Sequence, residues 1–140
     1  MSIKSLLGKQ LAKLIVLQTH KWSSSPIKTQ NKVFNHLIRG AKDTAFGRDH
    51  YFSSIKSYED FKTKVPIRDY EGFKYYVERI QKGESNVLWK GVPLFFAKTS
   101  GTTSGAKYIP LTKVSLACQI KAARNALLHY VATSGNHQFI

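Results

Sequence analysis

The chain has 140 residues and is 42% hydrophobic, so it can bury the core of one domain and does not have the composition of a disordered segment. Twenty-two Lys and Arg against eight Asp and Glu leave a formal charge of +14, which points to an anionic partner: nucleic acid, a membrane surface or a phosphorylated substrate. A single cysteine, Cys118, excludes an intrachain disulfide, no His/Cys spacing suits zinc, and no apolar run reaches the ~20 residues of a membrane span.

Residues 3–21 read as a helix. Ile3, Leu6, Leu7, Leu14 and Leu17 recur at helical spacing, and Leu11, Ile15 and Val16 widen the stripe. Lys4, Lys9, Lys13 and Lys21 flank it. The pattern predicts a core-facing helix with a solvated basic side, ahead of one lying on an anionic membrane. Lys4, Lys9 and Lys13 also break up any signal-peptide core.

Ser23-Ser24-Ser25-Pro26 is a break and a restart, with Ser25 as N-cap and Pro26 where its missing N–H costs nothing. The next helix is expected to run to about Thr44 on Val33, Phe34, Leu37, Ile38 and Ala41, with Gly47 as a stop. Ser57-Tyr58-Glu59-Asp60 has the form of a capping box and opens a short helix that Val65-Pro66 ends. Asp69 then caps a helix whose inner face is Phe73, Val77 and Ile80, with Gly83 as its stop. The aromatics Tyr70, Phe73, Tyr75 and Tyr76 near Lys74 and Arg79 could stack nucleic acid, but the helix's packing accounts for them more simply.

Residues 84–92 are expected as loop, 94–99 as a strand and 107–111 as a second strand that Pro110 makes short or places at an edge. Thr112 caps a last helix with Leu116, Ile120, Ala123, Leu127 and Tyr130 or Val131 inward, ending at Gly135-Asn136. Cys118 falls in that helix and is expected as a small buried hydrophobe. Gln138-Phe139-Ile140 begins an extended apolar pattern. Two strands alone are marginal in water, so the 140 residues read as the N-terminal piece of a longer enzyme.

Between the two strands lies Thr99-Ser100-Gly101-Thr102-Thr103-Ser104-Gly105-Ala106-Lys107. It is almost free of side-chain bulk and offers close-set backbone N–H groups and hydroxyls, the surroundings a polyphosphate requires. It is not a Walker A loop: three residues separate Gly101 from Gly105, Ala106 precedes Lys107, and Tyr108 follows.

This motif resembles the phosphate-binding motif of the adenylate-forming superfamily, to which acyl-CoA ligases, firefly luciferase and peptide-synthetase adenylation domains belong. Val65-Pro66-Ile67-Arg68-Asp69-Tyr70, Glu78-Arg79-Ile80, Gly83-Glu84, Thr44-Ala45-Phe46-Gly47 and Leu88-Trp89 resemble one branch, the auxin-responsive acyl-acid amido synthetase family in its bacterial form. The resemblance covers nearly the whole chain. It implies an α/β fold, with 1–92 mostly helical and then, over 93–140, a strand, the phosphate loop, a strand and a helix, forming an incomplete N-terminal portion of the large N-terminal domain of an adenylating enzyme.

The resemblance also implies ATP-dependent adenylation of a carboxylic acid, then amide formation with an amine or amino acid, with ATP and Mg²⁺ required. Thr99, Ser100, Gly101, Thr102, Thr103, Ser104, Gly105 and Lys107 would bind ATP; of these Ser100, Gly101, Thr102, Thr103 and Gly105 would surround its β- and γ-phosphates. Ser104 stands where many members of the superfamily have glycine. No catalytic residue and no metal ligand is assigned, and the rest of the site would come from the remainder of the chain, so that these residues alone are expected to be inactive. The expected setting is the cytoplasm, with no nucleic-acid partner. Two alternatives stand beside this one: an acyl-CoA ligase of the same superfamily, and a basic module for nucleic acid or membrane.

Overall fold

A computed structural model describes residues 3–100 and 105–136, and the side chains of 3–6 are not among the described parts. The elements in chain order are α1 (Ile3–Ser23), α2 (Pro26–Ala41), α3 (Ala45–Asp49), a 3₁₀ turn (Phe52–Ser54), α4 (Tyr58–Lys64), α5 (Glu71–Gln81), β1 (Phe95–Lys98), β2 (Tyr108–Leu111) and α6 (Lys113–Ser134). The described residues are therefore mostly helical, with one two-stranded antiparallel sheet. None of their helices is long and apolar enough to cross a membrane. They form two compact units, one of residues 1–31 with 114–140, the other of 32–113.

In the first unit α1 and α6 meet through Ala12, Ile15, Leu128 and Val131. The expected stripe on α1 is not the buried one. Leu7, Leu11, Leu14 and Leu17 are exposed, whereas Gly8, Ala12 and Ile15 are covered. The buried face of α1 is thus narrower than its apolar stripe, with Ala12 and Ile15 packed against Leu128 and Val131. On α6 the inward set is likewise narrower than expected: Ile120, Ala123 and Leu127 are exposed, Leu116 is half-buried, and Leu128 and Val131 carry the contact. Cys118 is exposed, not buried.

The second unit is built around Phe46. Its ring stacks on Phe73 with centroids 5.6 Å apart and on His50 at 4.1 Å, and meets Phe52 and Tyr76 edge-on at 5.8 and 5.2 Å. Helix α2 stops at Ala41, short of Thr44, because Thr44 caps a helix of its own: its Oγ1 accepts from the Gly47 N–H at 3.0 Å. Gly47 is thus inside α3 and is not a stop. Any Cβ there would run into the Ala41 carbonyl oxygen, so the turn from α2 to α3 closes only on glycine. The N–H groups of Ala45 and Phe46 donate to the carbonyls of Asn86 and Val87 at 2.8 and 3.0 Å, which ties α3 to the distant loop carrying Trp89.

The capping box at Ser57 and Asp60 forms as read, and α4 ends with Val65 as its C-cap. Asp69 caps α5 through its Oδ1, which accepts from the Gly72 N–H at 3.0 Å. Tyr76, Val77 and Ile80 are the buried face of that helix, with Phe73 half-buried beside them, and Gly83 follows its end at φ +88°. Arg79 and Glu84 then pair in a two-pronged salt bridge at 2.7 and 2.5 Å across the turn.

One polar network braces this core. Arg68 lies over the rings of Phe46 and Phe73, 5.8 and 5.7 Å from their centroids, and its Nη2 donates to His50 Nε2 at 2.8 Å. A guanidinium can only donate, so Nε2 is the acceptor and the ring proton sits on Nδ1, which donates to the Phe46 carbonyl at 2.8 Å. Tyr76 donates to Asp49 Oδ2 at 2.8 Å; burial, then that carboxylate, hold its phenol above the usual tyrosine range.

Candidate functional site

Strands β1 and β2 pair in register, Phe95 opposite Leu111 and Lys98 opposite Tyr108. Beyond the last strand pair the Thr99 N–H donates to the Lys107 carbonyl at 3.0 Å, and the Lys107 N–H reaches Thr99 Oγ1 at 3.3 Å. Thr99 therefore closes the base of the loop with its backbone and its side chain together. Ser100 and Gly105 stand exposed just inside that closure, and Gly105, three residues before β2, has a φ of +80°, in the left-handed region. Gly101, Thr102, Thr103 and Ser104, the middle of the predicted site, lie outside the described residues.

Each foot of the loop carries a lysine beside a tyrosine. Lys107 Nζ lies 5.7 Å from the ring centroid of Tyr70, and Lys98 Nζ lies 6.0 Å from that of Tyr108. Lys107 is half-buried and is not a freely solvated strand-end lysine. Lys98, by contrast, is exposed.

The two feet are anchored differently. On the β1 side, Phe96 packs against the Phe46 cluster. On the β2 side, the anchor is Tyr70, whose hydroxyl accepts from the Tyr108 N–H at 2.8 Å and points back to the Tyr108 carbonyl at 3.5 Å. Helix α5 runs beside β2, and a cleft of about 240 Å³ lies between them, lined by Tyr70, Lys74, Glu78, Gln81, Ala106 and Tyr108 among others. A separate groove of about 360 Å³ over Phe34, Phe46, Phe61 and Trp89 has an almost wholly apolar lining.

Of the sequence-predicted binding residues, the structure brings Thr99, Ser100, Gly105 and Lys107 together at the loop's two feet. Tyr70 was missed as a contact of the site. Its spacing gave no signal: 70, 73, 77 and 80 continue one helical stripe, so Tyr70 read as part of the packing face of α5. The other aromatics weighed for nucleic acid are used in packing, since Tyr76 is buried and Phe73 stacks on Phe46; Tyr75 alone of the three on α5 is largely open, and Arg79 lies over its ring. No group of three or more His, Cys, Asp or Glu converges among the described residues.

A family model described as the GH3 family N-terminal domain matches residues 17–138. The chain is 28% identical over 79 residues to indole-3-acetic acid-amido synthetase GH3.3 of Arabidopsis thaliana, covering 56% of this chain and 13% of that protein. It is 26% identical over 84 residues to indole-3-acetic acid-amido synthetase GH3.2 of the same plant, covering 59% of this chain and 15% of that protein. The matched stretch thus spans less than a sixth of either relative's length.

Proposed function

Because the chain belongs to the GH3 family, we propose that it supplies the triphosphate-binding part of an enzyme that adenylates a carboxylic acid and passes the acyl group to an amine or amino acid. In the first half-reaction the substrate carboxylate attacks the α-phosphate of ATP, and the bond to the β-phosphate breaks with release of pyrophosphate. In the second the amine attacks the acyl carbonyl, AMP leaves, and the amine gives up a proton. The names of the two plant relatives, both amido synthetases, favour an amine over a thiol as the acceptor.

The observation that carries this reading is the closed hairpin foot, with Lys98 and Lys107 on either side of a Ser/Thr/Gly loop. Departing pyrophosphate gathers negative charge, and fixed N–H, hydroxyl and ammonium groups stabilise that charge more in the transition state than before it. Lys107, held against Tyr70, would be such a preset charge. Thr99 would hold the loop shut, leaving Ser100, Gly101, Thr102, Thr103, Ser104 and Gly105 to face the phosphates. Mg²⁺ commonly binds through substrate phosphates and retained waters, which suits a loop offering hydroxyls, Ser100 among them, and no carboxylate cage; it would neutralise charge on the phosphates. A reaction consuming ATP, in a chain with one cysteine, fits the cytoplasm.

The test is an NMR titration of the chain with millimolar MgATP. Shifts centred on the amides of 99–108 are expected, and their absence, or their appearance elsewhere, would overturn the reading. Replacing Gly101 with Val should abolish the response, and in the full-length protein acid-dependent pyrophosphate exchange as well, while melting stays as in wild type.

A further inference from the structure

We propose that Tyr70 is a positioning residue for the loop: its hydroxyl fixes the β2 foot, and its ring sets where the Lys107 charge lies. The inference rests on reading the loop as a triphosphate site. It begins with the register. In an antiparallel pair, opposed residues alternate between exchanging backbone hydrogen bonds and facing away from each other. Thr99 and Lys107 bond across the hairpin, so the next pair, Lys98 and Tyr108, is of the non-bonded kind. The N–H and C=O of Tyr108 therefore point away from β1, toward α5, and the Tyr70 hydroxyl meets both.

The same side chain places its ring under the ammonium group of the preceding residue. One tyrosine thus holds the backbone of residue 108 and the charge of residue 107. Its own support is rigid. Arg68, two residues earlier, is bonded to His50 and lies across the Phe46 and Phe73 rings, and Asp69 caps α5. Displacement of a binding group by a fraction of an ångström weakens a charge-assisted contact sharply, so a second residue that fixes it has measurable leverage.

Tyr70→Phe keeps the ring and removes the hydroxyl. We expect it to weaken MgATP binding to the chain by roughly three- to tenfold, the scale of one hydrogen bond, and to speed hydrogen exchange at the Tyr108 amide. Tyr76→Phe is the control, because it removes a comparable buried hydroxyl bond from the body of the same unit; it should leave MgATP affinity as in wild type. If wild type responds to MgATP at the loop but Tyr70→Phe binds equally well, or if Tyr76→Phe loses as much affinity, the positioning role is refuted and the loop reading stands. If wild type itself shows no response at the loop, both fall together.

Discussion

The Phe46 body and the β1–β2 hairpin belong to one compact unit and are held by different physics. Phe46 touches four aromatic rings and an arginine, so its position is set several times over. At the hairpin one foot rests on Phe96 and the other on a single hydroxyl, and beyond both is a loop of small residues. Redundant packing gives stability and tolerates little change in volume. A hairpin foot held by few contacts contributes less to stability.

That contrast can be attacked from the body first. Phe46→Ala should cost about 3–5 kcal/mol, read by urea denaturation, and protection of the Tyr108 amide should vanish with it. A hairpin that stayed protected would mean that its foot does not depend on the body. Gly47→Ala is the next largest. Its methyl group must displace the Ala41 carbonyl, and overpacking of this kind typically costs about 1–3 kcal/mol. An unchanged midpoint there would show that the α2–α3 turn has slack.

The smallest expected effect lies at the surface. The Lys56 N–H, then the Ser57 hydroxyl and N–H, hold the Asp60 carboxyl below the usual aspartate range. A carboxyl whose pKa is lowered on folding stabilises the fold fully above its unfolded pKa, about 3.9. That stabilisation is lost as pH falls through the lower folded value. Glu84, lowered by Arg79, acts in the same direction. Melting temperature should therefore drop as pH goes below about 4, and Asp60→Asn should flatten that limb without touching MgATP binding. An identical pH profile in the variant would remove the capping box from the account.

Much of the second unit could be read from the chain. Ser57 with Asp60, Val65-Pro66, Asp69 and Gly83 are local signals, decided by neighbours three or four residues away, and each acts where it was expected. The segments that carried the family resemblance prove to be the joints of this unit: Thr44 caps α3 and Ala45 to Gly47 open it, Val65 closes α4, Arg68 braces the core, Asp69 caps α5, and Trp89 packs on the core. Ile67, in the same run, is fully exposed and nothing in the structure explains it.

What stayed hidden depends on partners distant in sequence. Periodicity finds an apolar stripe on α1 but cannot say which face another helix will cover, and small residues such as Gly8 and Ala12 hardly register as apolar. Gly47 looked like a stop because the carbonyl that crowds it belongs to the preceding turn. Tyr70 reaches 38 residues along the chain, farther than any local pattern extends.

The bond from Tyr70 to Tyr108 also decides how the hairpin can be enlarged. The backbone groups of β2 that face away from β1 belong to Tyr108 and Pro110. Those of Tyr108 are occupied, and proline has no N–H to give. Among the described residues of β2, that leaves the Pro110 carbonyl on this flank to recruit a neighbour, which guards the edge against edge-to-edge aggregation.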